Sequence, residues 1–348
     1  LIVLGSVTFA SETKVTDEYR ASRVDELIAP WNRTDSPGVA VAVIHDGRVK
    51  YTAEAGSANL EYGISITQET IFQAASLSKQ FTAFSLAVLA EQNKLSLDDD
   101  VRKYLPWVPD FGTPITIRHL IHHTSGLRDL WELLIFAGWR MDDVVTQDHA
   151  RELVKRQNGL NFEPGREYRY TNTGYALLPE IVEQVTGQSF TSWTADNIFK
   201  PLGMNNTRFQ KSYKEVIHNR AYSYFETEGG YEKAPANIGI SGATNLFTTA
   251  EDLTKWVLNF DHGRVGGADL IKRIVTPSTL NDGKETNYGF GLHVGTYRGL
   301  KVMGHGGGQA GFRTYLLRFP TRKFGVVVLS NLGNISAGTL ARQIATIF

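Results

Sequence analysis

Apolar positions recur along this chain in two alternating rhythms. From Asp17 to Ala29 they fall at helical intervals, and Pro30 ends the segment. Val39 to Ile44 and Val49 to Ala53 are β-prone runs around Asp46-Gly47, the strongest short hairpin signal in the chain. Helical spacing returns near Ser76 and runs through Phe81, Phe84, Leu86, Val88 and Leu89, with enough apolar content to predict a central, mostly buried helix. Between about Leu95 and Gly230 short helical pieces are broken by Pro106, Pro109, Pro114, Gly126, Gly138 and Pro164. Leu177 to Val185 is the best helix there, with Pro179 expected in its first turn. The last third turns β-rich, over Tyr288 to Val294, Lys301 to His305, Phe312 to Phe319 and Phe324 to Ser330, before a final helix from about Ser336 to Ile347.

These elements predict an α/β (α+β) fold in which an antiparallel sheet takes in the N-terminal hairpin and is flanked by helices, with a mostly helical domain inserted. The expected division is a discontinuous α/β domain of residues 11–90 and 236–348 and a mainly helical domain of residues 91–235. No internal repeat or flexible interdomain linker stands out.

Composition narrows the function. A chain of 348 residues buries a substantial core without disulfides. Lys plus Arg and Asp plus Glu each total 36, which leaves no net field to hold a nucleic acid or an anionic membrane. With no cysteine there is no thiolate zinc site and no cysteine nucleophile. Leu1 to Ala10 is apolar and reads equally as the back half of a secretory signal peptide or as a short buried strand or vector-derived terminus. The first reading predicts a periplasmic or secreted protein and the second leaves the cytoplasm open. No stretch is long enough for a transmembrane segment, and oligomeric state is not readable.

Three segments carry chemistry. Ser76-Leu77-Ser78-Lys79 sets a hydroxyl and an amine three residues apart on one helical face, a nucleophile beside its own base. Phe81, Ala83 and Phe84 follow the lysine within two turns, so partial burial favours its neutral, proton-accepting form. A helix start with a solvated lysine is the bland alternative for such a common spacing. Tyr170-Thr171-Asn172 lies in a loop entering a helix. There Tyr170 shuttles a proton if nearby positive charge eases its ionisation, while Asn172 holds Lys79 and offers an amide to the substrate. Otherwise Tyr170 is an interface aromatic and Asn172 a helix cap. In His305-Gly306-Gly307-Gly308 the three glycines imply close approach of an extended substrate to a strand edge, or else a plain glycine-rich turn. The Gly308 amide, paired with that of Ser76, makes a two-donor oxyanion hole, and His305 faces the cleft as donor, relay or polar wall.

In these segments the chain resembles the serine β-lactamase and penicillin-binding protein superfamily, in its class C β-lactamase-like branch with D-alanyl-D-alanine carboxypeptidase, D-aminopeptidase and esterase relatives. Ser76 and Lys79 match its Ser-x-x-Lys motif, Tyr170 and Asn172 its Tyr-x-Asn, and His305-Gly306-Gly307 a variant of its Lys-Thr-Gly. The likeness continues through His123-Thr124-Ser125-Gly126-Leu127, Phe162-Glu163-Pro164-Gly165 and Pro201-Leu202-Gly203-Met204. It implies a site between two lobes and an acyl-enzyme cycle in which Ser76 attacks a carbonyl, Lys79 and Tyr170 move its proton, and water releases the acyl group.

One departure bears on substrate. His305 replaces a lysine that pairs with a substrate carboxylate in many β-lactamases, which shifts the expectation toward uncharged esters, amides or D-amino-acid peptides. Arg313 compensates only if it faces the cleft, and strand alternation equally turns it to solvent. Trp131, Phe136, Trp139 and Tyr222 either line an apolar acyl pocket or pack the core. His122 and His123 lack the third ligand a metal needs, and the chemistry requires no cofactor. The expected activity is therefore a serine hydrolase of peptide, amide or β-lactam bonds on a small-molecule or peptide substrate. A carboxylesterase of the same mechanism and a non-catalytic binding or scaffold protein are the alternatives.

Overall fold

The computed structural model describes residues 16–348, so the Leu1 to Ala10 segment lies outside the described residues. Six strands form one sheet: β1 (Val39–His45), β2 (Arg48–Ala55), β3 (His293–Tyr297), β4 (Leu300–Gln309), β5 (Phe312–Phe319) and β6 (Phe324–Ser330). Their spatial order is β3-β4-β5-β6-β1-β2, antiparallel throughout. The β1–β2 hairpin turns at Asp46 and Gly47, with φ of 51° and 72°, the backbone that a tight two-residue hairpin turn demands.

Six helices matter for the site and the sheet: α1 (Asp17–Ile28), α2 (Ser78–Glu91), α3 (Leu130–Phe136), α4 (Asn172–Thr186), α5 (Ala250–His262) and α6 (Ala337–Ile347). Val39, Val41, Val43, Val326 and Val328 pack on one side of the sheet with residues of α1 and α6. Ala40, Ala42, Ile44, Val327 and Leu329 pack on the other side with α2 and α5. Both faces of β1 and β6 are thus covered, which is why these strands read as unbroken apolar runs without alternation.

Helix α2 is enclosed on all sides, with 11 of its 14 residues buried. Phe81 and Phe84 lie 4.5 and 5.1 Å from the Trp256 ring, and the Trp256 indole donates to Gln80 Oε1 at 2.9 Å. The lysine in the first turn of this helix has no exposed surface.

Two elements differ from the sequence-based expectation. Pro179 sits in the middle of α4 and not in its first turn, because the helix begins five residues earlier than Leu177. Proline has no N–H to return to the Tyr175 carbonyl. Gly242, at φ 93°, packs on that break, where a Cβ would come within 2.4 Å of the Tyr175 oxygen. The segment before His293 is also not strand: Gly291, at φ 72°, presses on the first turn of α2, leaving room for no side chain within 2.5 Å of the Gln80 nitrogen. That turn ends β3 early and frees the far end of β4.

Phe81→Ala should lower stability by about 3–5 kcal/mol. A lower urea midpoint with an unchanged slope is the expected reading, and an unchanged midpoint would mean that α2 is not the keystone of this core.

Candidate active site

Ser76 stands in the 3₁₀ turn Ala75–Leu77, just ahead of the α2 helix proper. The preceding Ala75 has φ 48°, a left-handed conformation that costs a non-glycine residue about 1 kcal/mol or more. Neighbouring bonds hold it there. Ser78 Oγ donates to the Ala75 carbonyl at 2.6 Å and accepts from the Leu246 amide at 3.0 Å, while Thr314 Oγ1 donates to the Ala74 carbonyl at 2.9 Å.

Lys79 Nζ lies 3.1 Å from Ser76 Oγ, 2.9 Å from Asn172 Oδ1 and 2.8 Å from the Ala243 carbonyl oxygen. The side chain is wholly buried. Burial pulls its pKa down to about 7, with the Asp129 charge working in the opposite direction. A neutral amine has two N–H donors and one lone pair. The two carbonyl oxygens accept the donors, and the lone pair is left for the Ser76 hydroxyl, which then donates to it.

Tyr170 sits one residue before the N-cap of α4, Thr171. Its ring lies 5.0 Å from Lys79 Nζ and 4.2 Å from the ring of His123. Burial raises its pKa well above the usual phenol value, with the Ser76 hydroxyl pulling the other way. The condition for easier ionisation of Tyr170 is therefore not met, because burial outweighs its neighbours and it stays a neutral phenol. His123, at φ 59°, accepts from the Thr171 amide through Nδ1 at 3.2 Å and so pins the Tyr170 loop. Burial holds His123 far below its ordinary pKa, and neighbouring Lys79 adds to the effect.

Asn172 is turned by a residue the sequence reading did not single out. Its Nδ2 donates to Asp129 Oδ2 at 3.0 Å, and its backbone N–H reaches the same oxygen at 2.6 Å. One of the two Nδ2 hydrogens is thereby directed at Asp129. Asp129 is also the N-cap of α3, accepting from Trp131 N at 2.9 Å. An acidic residue immediately before the apolar run Leu130-Trp131 was a legible capping signal, but its second partner lies 43 residues away.

The opposite wall is the end of β4. Pairing with β3 stops at His293↔Gly304, so His305 to Gln309 form the outer edge of the sheet. A Cβ on Gly307 would meet Thr314 Oγ1 at 2.3 Å and the Ala74 carbonyl at 2.6 Å, which is why glycine lets this edge close on the Ser76 turn. Gly306 and Gly308 pair with Tyr315 and Arg313 of β5. His305 is buried, with Nδ1 donating to the Gly306 carbonyl at 2.6 Å and Nε2 accepting from the Tyr288 hydroxyl at 3.0 Å. Burial, then the nearby Lys79, pulls its pKa to about 3, so it carries no charge. Both ring nitrogens are occupied within the fold.

Arg313 lies on the face of β5 opposite Thr314, with its Nη1 donating to the Ala310 and Phe312 carbonyls at 2.8 Å. It braces the β4–β5 turn. Trp131 and Trp139 pack on a satellite cluster around Leu134 and Val145, while Phe136 and Tyr222 are exposed. His122 contacts the Tyr288 carbonyl through Nδ1 at 3.2 Å, a packing role.

An antiparallel sheet with a lysine–serine pair at the head of a buried helix defines a class of proteins, and comparison with known proteins agrees. The chain matches the Beta-lactamase family over residues 21–345 and belongs to it. It is a member of the serine-hydrolase and penicillin-binding-protein superfamily related to class C β-lactamases, D-aminopeptidases and esterases. It is 32% identical over 327 residues to a D-aminopeptidase of Gluconobacter oxydans (strain 621H), covering 94% of this chain and 61% of that protein. The chain therefore spans about three fifths of that relative's length. Among solved structures it resembles the octameric penicillin-binding protein homologue from Pyrococcus abyssi (TM-score 0.82, 29% identity, 93% of this chain and 76% of that one). The penicillin binding protein from Bacillus halodurans shares the fold (TM-score 0.81, 24% identity, 93% and 99%).

The Lys79 environment has a thermodynamic signature. The unfolded chain keeps this proton up to about pH 10.4, whereas the folded chain keeps it only to about 7. Unfolding takes up a proton in that window, so stability drops as pH falls from 10 to 7 and levels off below. Lys79→Met abolishes the slope: its Tm should gain on wild type as pH is lowered from 10 to 7, then run parallel below 6. Parallel curves throughout would mean that Lys79 is charged in the fold.

Proposed function

We propose that this chain is a serine hydrolase that forms an acyl-enzyme on Ser76 and acts on amide and peptide bonds, D-amino-acid derivatives among them. The observation that carries this reading is the wholly buried Lys79 amine, 3.1 Å from Ser76 Oγ and titrating near neutrality. In the proposed cycle Ser76 Oγ attacks the substrate carbonyl while its proton passes to Lys79 Nζ. The oxyanion lies against the amides of Ser76 and Gly308. Tyr170, a neutral phenol, donates its proton to the departing amine and recovers one from Lys79, so the site ends unprotonated at nitrogen, as it began. Water then adds to the ester and releases the acid by the reverse relay. Asn172 keeps the lysine in place, and His305, Gly306 and Gly307 form the strand along which the substrate lies. The cleft is read as running between the described part of the discontinuous domain, residues 16–90 with 236–348, on one side and residues 91–235 on the other.

Substrate polarity follows from the wall. His305 is neutral and Arg313 is turned away, so neither supplies a cation for a substrate carboxylate. This supports uncharged amides, short peptides or esters over penicillins, and the printed names of the D-aminopeptidase relatives support the amide reading.

Wild-type protein should label covalently with a fluorophosphonate, and Ser76→Ala should lose at least about 10⁴-fold in labelling and in hydrolysis of D-amino-acid amides and p-nitrophenyl esters. The rate should rise with pH through a limb near 7. Undiminished labelling of the Ser76→Ala protein would sink the assignment. Turnover of esters with no detectable hydrolysis of any amide or peptide tested would select the carboxylesterase alternative.

A further inference from the structure

We propose that Asp129 is a positioning residue for acyl transfer, its carboxylate orienting the Asn172 amide so that the carbonyl end faces Lys79. The inference rests on the Ser76–Lys79 reading above and deepens it. The two ends of a carboxamide are nearly the same shape, so packing alone does not decide which one meets the amine. A carboxylate decides it, because it only accepts. Asp129 Oδ2 takes Asn172 Nδ2 at 3.0 Å, Asn172 N at 2.6 Å and Thr171 Oγ1 at 3.4 Å. With Nδ2 committed there, Oδ1 must point the other way, and it lies 2.9 Å from Lys79 Nζ. Were the amide reversed, an N–H would face an amine that already donates to Ala243, and the lysine would lose one of its two acceptors.

The other carboxylate oxygen ties this bridge to the fold. Asp129 Oδ1 accepts from Trp131 N at 2.9 Å and Glu132 N at 3.3 Å, which fixes the start of α3 beside the Tyr170 loop. Among the described residues no Lys or Arg pairs with Asp129. The titratable groups around Lys79 are Asp129 from α3, Tyr170 and Tyr175 from the α4 segment, His123, and His305 from β4. Burial keeps both histidines and both tyrosines uncharged near neutral pH. Asp129 is thus the anion that the lysine senses, across a single amide, and it favours the protonated amine against the pull of burial.

The sign of the test follows. Removing the charge lets burial act unopposed, so the Lys79 midpoint should fall. Asp129→Asn keeps the shape but not the charge. Asp129→Ser keeps an N-cap oxygen for α3 while deleting the bridge, and serves if the asparagine variant folds poorly. Both are to be followed from pH 5 to 9 by the rate of fluorophosphonate labelling, and by NMR titration of the Lys79 ¹⁵Nζ in folded protein. The expected result is a plateau labelling rate about tenfold lower, with the midpoint moved downward by about half a unit or more in both measurements. A midpoint that stays in place in both variants overturns the proposal, even if Tm or the rate falls, since a merely structural residue has that effect. If wild-type protein does not label at all, the hydrolase reading fails, and the NMR titration still judges whether Asp129 governs Lys79.

Discussion

Placing a lysine amine where water cannot reach it is the constraint around which this chain is arranged. A charged ammonium in such a place is strongly disfavoured, and an unpaired polar nitrogen is disfavoured as well. The fold meets both conditions by supplying two carbonyl oxygens, from Asn172 and Ala243, and one hydroxyl, from Ser76. Those three partners come from α4, from the bend at Ala243 and from the turn into α2. Holding them together requires the helices and sheet to pack in one arrangement. The chemistry of the serine is thus inseparable from the packing of Phe81, Phe84 and Trp256 behind it.

Backbone shape matters as much as side chains on the other wall. The Ser76 turn stores strain at Ala75, and the β4 edge approaches it closely only because Gly307 has no Cβ. Gly291 stops β3 short by lying against the first turn of α2, which leaves His305 to Gln309 without an outer strand partner. A free strand edge of this kind exposes unpaired backbone donors and acceptors, the geometry that an extended peptide-like substrate can extend.

Aromatic and imidazole groups surround the pair without adding charge. His123 stacks with Tyr170 and holds its loop, while His305 is locked between Tyr288 and its own neighbour's carbonyl. Each histidine is far below its ordinary titration range because it is buried and because Lys79 lies close by. Among the described residues Asp129 is the anion that acts on Lys79, and it is joined to Asn172, which in turn meets the amine.

Local sequence determined much of this. The Asp46-Gly47 hairpin, the apolar strand runs, the buried helix after Ser76 and the Ser76–Lys79 spacing depend on neighbours within a few residues, so they were legible from residue order. The Tyr170–Asn172 and His305–Gly308 segments were legible as motifs. Tertiary structure alone decided what those groups do, since burial, hydrogen-bond partners and facing charges come from elements far apart in the chain. Nothing in the residue order marks Asp129 as a partner of Asn172, 43 positions further on, and only the packing of α4 makes it one. Whether Tyr170 ionises easily depends on the charge beside it, and only the folded chain shows that burial prevails there. His305 is open to reading as donor, relay or polar wall until Tyr288 is seen to occupy its Nε2, and Pro179 reads as a first-turn residue until Thr171 is seen to start the helix. The pKa of a side chain is a property of the space around it, and that space is defined only when the whole chain has closed.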